Sequence, residues 1–80
     1  MMLMNRLASI FEEVFGLPVD QFAENIAPEQ VPNWDSIGHM SLVARLEQAF
    51  SVRFEVDEVM DMSTPAKICA ILASKSVEDA

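Results

Sequence analysis

The stretch Trp34-Asp35-Ser36-Ile37-Gly38-His39-Met40-Ser41-Leu42 constrains this chain more than any other. An acidic residue and a hydroxyl stand where a loop turns into a helix, and either Asp35 or Ser36 can cap that helix with its side-chain oxygen. The helix expected from Ser36 to about Phe50 carries two apolar faces, where an ordinary surface helix carries one. At about 100° per residue, a face centred on Leu46 takes in His39, Leu42, Val43, Ala49 and Phe50, the stripe that meets a core. Ile37, Met40 and Ala44 fall more than about 100° from that centre, where polar residues are expected, and within two turns of Ser36. Exposed apolar residues beside an exposed serine describe a docking surface next to a reactive or modifiable hydroxyl. Periodicity is equally compatible with Ile37 and Met40 covering a neighbouring loop.

The chain around this helix is short. Eighty residues make one domain with a modest core and little room for an enclosed catalytic cleft. The absence of Tyr, the presence of only two Gly and the lack of alternating β-branched runs point to an all-helical fold. Thirteen acidic residues against five basic ones, net charge −8, exclude a nucleic-acid surface and favour partners with basic patches. The single cysteine, Cys69, forms no internal disulfide and fits a reducing cytoplasm; with one histidine it cannot build a structural zinc site. The start of the chain lacks the basic region and apolar run of a signal peptide, and no stretch reaches membrane-spanning length.

Leu3, Leu7, Ile10, Phe11 and Val14 recur at helical spacing, so a first helix is expected from Met2 to about Phe15, closed by Gly16 and Pro18. The connection from Leu17 to Asp35 is long, with Val19, Phe22 and Ile26 expected to pin it, a helical turn near 20–24, and Trp34 packing the loop onto the helix ends. After the helix at Ser36, the segment 51–56 is a link whose Val52, Phe54 and Val56 offer apolar contacts. A short helix follows from Asp57 to about Met62, with Val59 and Met62 inward and Asp57, Glu58 and Asp61 outward. Thr64-Pro65 opens the last helix, with Ile68, Leu72 and Lys75 as its stripe, and the chain from Ser76 on is expected to fray. Three longer helices and one short one imply a small antiparallel four-helix bundle, all-α.

Ser36 and His39 lie three residues apart on one helix, as a nucleophile and its base can. Nothing nearby orients the histidine and no Gly-rich turn offers an oxyanion hole, so a hydrolase is disfavoured and His39 reads as a satisfied core or cavity-rim residue. Cys69 reads as packing, and Asp57, Glu58 and Asp61 lack the spacing of a calcium loop.

At Asp35-Ser36-Ile37 the chain resembles the acyl carrier protein family, which includes peptidyl carrier domains and has an Asp-Ser-Leu-type motif at the start of its second helix. Leu42 to Phe50 looks like that family's second helix, and Phe54, the acidic short helix and Thr64-Pro65 resemble its second half, so the likeness spans essentially residues 1–80 as a single carrier domain. The resemblance implies a non-enzymatic carrier. A phosphopantetheinyl transferase would attach 4′-phosphopantetheine from coenzyme A to Ser36, beside Asp35. The arm would hold acyl or aminoacyl groups as thioesters for acyl-activating and acyl-transfer enzymes of fatty-acid, polyketide or secondary biosynthesis. The docking residues expected are Ile37, Met40, Ala44, Glu47, Asp57, Glu58 and Asp61, on a cytoplasmic monomer. Gly38 and Ser41 are neutral where many fatty-acid carriers are acidic, and Arg45 adds a positive charge. Trp34-Asp35-Ser36 with Gly38-His39 resembles a variant of stand-alone carriers and of secondary pathways, which leaves the cargo open. The alternative is an unmodified interaction module using the same face.

Overall fold

The computed structural model describes residues 2–75. The expectation of fraying from Ser76 on lies outside the described residues. The chain forms a small helical bundle of four helices: α1 (Met2–Phe15), α2 (Ser36–Phe50), α3 (Val56–Met60) and α4 (Pro65–Ser74).

Local chemistry sets most helix ends. Gly16 takes a left-handed φ of 69° and its N–H reaches the Glu12 carbonyl at 2.8 Å, so α1 stops where glycine makes that turn free of strain. Thr64 Oγ1 accepts the Lys67 N–H at 3.3 Å, and Pro65 occupies the first position of α4, where its missing N–H costs nothing. The short helix differs from expectation at both ends: α3 begins at Val56 and closes at Met60. Its start is set by Glu58, whose side chain accepts the Glu55 N–H at 2.7 Å and draws the preceding residue into the first turn.

The core joins α1, α2, α4 and the long connection. Leu7, Phe11, Leu42, Leu46, Ile68 and Leu72 are fully buried. Phe11 meets the rings of Phe15, Phe22 and Trp34 edge to face, with centroids 5.4, 5.2 and 5.1 Å apart. Each such pair adds about 0.5–1.5 kcal/mol beyond its buried area. Trp34 thus packs the connection onto the helices as expected. The rest of the connection differs in detail. It holds two single 3-10 turns, Val19–Gln21 and Pro28–Gln30, in place of a turn at 20–24. Val19 is exposed, and pinning falls to Leu17, Ile26, Val31 and half-buried Phe22. The Ala66 N–H donates to the Glu24 carbonyl at 2.9 Å, which fastens the connection to the start of α4.

Val52 and Phe54 pack against the core from the link between α2 and α3, but Val56 turns to solvent. As the first residue of α3 it sits on the outer turn of a helix too short to bury two sides. Lys75 does not continue an apolar stripe. It folds back over the Phe54 ring, 5.7 Å from its centroid, and pairs with Glu58 at 2.9 Å.

Candidate functional site

The connection delivers the chain to α2 through a strained-looking but well-supported corner. Asn33 adopts φ 71°, a conformation that asparagine tolerates better than most residues. This turn aims the Asn33 carbonyl beneath the first turn of α2, so closely that a Cβ at Gly38 would collide with it. Gly38 is therefore a requirement of the corner: only a residue without a side chain lets loop and helix approach there. Asp35 then caps the helix, its Oδ1 accepting the Gly38 N–H at 2.9 Å. Of the two candidate caps, Asp35 takes the role, which leaves the Ser36 hydroxyl exposed at the first residue of α2.

Ser36 stands on the rim of an open cavity of about 540 Å³ whose apolar wall comes from Trp34, Met40, Val59, Met60 and Met62. A second groove continues from it between α2 and α3, sharing Met40, Val59 and Met60 and reaching Phe54 and Val56. Around this continuous trough the large apolar side chains Ile37, Met40, Val56 and Met60 are 81, 60, 77 and 80% exposed. Ala44 is exposed as well. At that exposure Ile37 covers no loop. The outer apolar face of α2 is open to solvent, and α3 extends it with two residues that the periodicity of α2 does not reveal. The spacing of Val56, Val59 and Met60, three and four apart, is a helical stripe and was the available signal. In so short a helix only Glu58 and Val59 are partly covered.

His39 forms part of the cavity wall, and its two ring nitrogens are both engaged. The Trp34 Nε1–H donates to Nδ1 at 2.8 Å, and Nε2 donates to the Val59 carbonyl at 2.8 Å. An indole N–H only donates and a carbonyl only accepts, so the partners define the neutral Nε2–H tautomer. With Nδ1 spent on Trp34 and Nε2 spent on Val59, the ring has no lone pair for Ser36. A Ser-His hydrolase is ruled out in this arrangement, and the reading of His39 as a satisfied cavity-rim residue holds.

Charges divide into those turned inward and those left free. Arg45 Nε meets Glu13 at 2.7 Å; the hydrogen bond holds the Glu13 carboxyl below its ordinary range and raises the guanidinium. The positive charge of α2 is thereby spent on α1. Glu47 Oε2 accepts the Phe54 N–H at 3.0 Å, and Glu58 is taken by the Glu55 N–H and Lys75. The Glu55 amide and then the Lys75 ammonium lower the Glu58 pKa. Asp35, on the cavity rim, and Asp57 and Asp61 are exposed.

The described chain thus presents a serine hydroxyl at a helix N-terminus, beside an apolar trough, without a catalytic base. Residues 34–72 match the family model described as the phosphopantetheine attachment site. This match supports a phosphopantetheine carrier family of the acyl carrier protein type. No curated protein matches it. The prosthetic group of the carrier is 4′-phosphopantetheine, held covalently. The site fits such a group: an exposed hydroxyl is available for the link, and the positive end of the α2 dipole favours a phosphate anion. A carrier of this kind meets enzymes that act on thioesters. Among the described residues no helix is long and apolar enough to cross a membrane.

Proposed function

We propose that residues 1–80 act as one carrier domain, not itself an enzyme, with Ser36 as the attachment point of the phosphopantetheine arm. The observation that carries this reading is the exposed Ser36 hydroxyl on the rim of the apolar trough between α2 and α3. The arm supplies a terminal thiol that carries acyl or aminoacyl cargo as a thioester. The protein residues do the rest. Asp35 fixes the first turn of α2 so that the hydroxyl points outward, and Gly38 allows the loop beneath it to close. Met40, Val59, Met60 and Met62 offer an apolar resting place for the proximal part of the arm or its cargo.

The same surface is read by partners: a phosphopantetheinyl transferase first, then the acyl-activating and acyl-transfer enzymes of fatty-acid, polyketide or related secondary biosynthesis. Ile37, Met40, Ala44, Val56 and Met60 form the apolar centre of the docking face, and Asp35, Asp57 and Asp61 a rim suited to basic residues on the partner. Glu47 and Glu58 join it at the edge, the first already holding the link before α3 and the second α3 itself. The absence of a second cysteine is in keeping with work in the reducing cytoplasm, as a monomer. Tethering raises the effective concentration of cargo at each enzyme that the carrier visits.

The test is intact mass after incubation with coenzyme A and a broad-specificity phosphopantetheinyl transferase. A gain of one phosphopantetheine, abolished by Ser36→Ala, is expected. No gain under conditions that modify a control carrier overturns the reading.

A further inference from the structure

The site holds one polar chain that neither attachment nor docking uses: Trp34 to His39 to Val59. It spans three separate parts of the molecule. Trp34 ends the long connection and is buried in the aromatic core. His39 belongs to the first turns of α2. Val59 belongs to α3 and lies twenty residues further along the chain.

α3 needs such a tie. Five residues are too few for a helix to hold by its own hydrogen bonds. Val56 and Met60 contribute little burial, since both are exposed. At its start α3 is held by Glu58 and Lys75, and the link before it by Glu47 at the Phe54 amide. On the side facing Ser36 the hydrogen bond that fixes it is the one from His39 Nε2 to the Val59 carbonyl. That bond is itself oriented, because Trp34, immobilised in the core, occupies Nδ1 and leaves the proton on Nε2.

The geometry points to His39 as the positioning residue of the carrier. Through Val59 it sets α3 at a fixed distance from the N-terminal turns of α2, so that Ser36 and the apolar side chains of both helices form one surface before any partner arrives. The surface is then pre-organised, and a partner spends no binding free energy assembling it. Without the bridge, α3 would dock as a separate, loosely held element. The effect on modification would fall on KM for the carrier, with kcat left nearly intact, because His39 touches neither the hydroxyl nor the reacting phosphate. This inference rests on the proposed role of Ser36 for its kinetic consequence, and on the hydrogen-bond geometry alone for its structural one.

The experiment has two arms on apo-protein. In the first, amide hydrogen exchange is followed in wild type, His39→Phe, His39→Gln and Ile68→Val. Phenylalanine fills the space without hydrogen bonds. Glutamine can accept from Trp34 through its carbonyl and donate to Val59 through its amide. Ile68→Val trims the core on α4, away from the trough. His39→Phe should speed exchange at the Met60, Asp61 and Met62 amides at least tenfold while leaving α1 unchanged. His39→Gln should restore most of the protection, and Ile68→Val should lower Tm without this selective loss. In the second arm, transferase kinetics should show KM raised about fivefold to tenfold by His39→Phe, near wild type in His39→Gln and in Ile68→Val, with kcat within about twofold throughout. Exchange that quickens uniformly, or does not quicken at α3, overturns the inference, as does a glutamine variant no better than phenylalanine. If wild type is never modified, the role of Ser36 falls, and the exchange arm still decides whether His39 positions α3.

Discussion

Two regions of this small carrier use the same residue types to opposite ends. On one side of α2, Leu42, Val43 and Leu46 meet α1 and the connection, where Phe11, Phe15, Phe22 and Trp34 interlock. On the other side, Ile37 and Met40 face water together with Val56 and Met60 of α3. The first region is held by packing, which is dense, rigid and indifferent to charge. The second is held by few contacts and by polar ties: His39 to Val59, Glu58 to Lys75, Glu47 to the Phe54 amide. A chain of eighty residues has little apolar surface to spare for stability. Four large side chains left in water around one serine therefore mark a surface kept for something else to cover.

The contrast is broken most forcefully in the packed region. Phe11→Ala removes the ring at the centre of the aromatic cluster and should cost about 3–5 kcal/mol, enough to unfold much of the population of a marginally stable domain. Ile37→Ala, on the open face, should change stability by less than about 0.5 kcal/mol. Urea unfolding of both variants measures the difference. Similar losses for the two would mean that Ile37 is buried in solution and that the two regions are alike.

A smaller effect is expected on partner recognition. Met40 lies between the two grooves and outside the core. Truncating a central interface side chain can cost more than about 1 kcal/mol of binding, whereas rim charges act mainly on association rate and are screened by salt. Met40→Ala should slow transferase modification several-fold with little change in Tm. Glu47→Gln keeps an oxygen for the Phe54 amide and should matter less, and moderate salt should inhibit weakly. Initial rates across a salt series decide: a normal Met40→Ala rate beside strong inhibition by salt and by Glu47→Gln would show that docking is electrostatic.

The smallest effect is on acid stability. The folded state depresses the Glu58 pKa through the Glu55 amide and Lys75. Its contribution is therefore present above the ordinary carboxylate range and is lost as pH falls through the depressed value. Glu58→Gln should lower Tm slightly near neutrality and converge on wild type in acid. Parallel Tm curves down to about pH 3 would show that this tie adds nothing, leaving His39 and the half-buried Val59 to hold α3.

How far the chain could be read in advance follows from the range of the interactions involved. The end of α1 and the starts of α2 and α4 were legible because their determinants lie within four residues: Gly16 after Phe15, Asp35 before Gly38, Thr64 before Lys67. That Ile37, Met40 and Ala44 lie off the core stripe followed from the angle between them and Leu46 on one helix, but whether Ile37 and Met40 face water or cover a loop did not. The boundaries of α3 did not, because five residues hold too little of a helical period. Val56 was legible as apolar but not as exposed, since nothing along the chain says how little of α3 the rest of the fold covers.

The sequence by itself determined a small helical bundle with a serine at the head of its second helix, since helix periodicity and caps are written in neighbouring residues, and the carrier reading came from the resemblance of the motif and helix order to a known family. Only the tertiary structure decided that Asn33 would press beneath Gly38 and that His39 would bridge Trp34 to Val59. These depend on where the long connection and α3 come to rest. That is set by long-range packing of side chains whose partners no local pattern names.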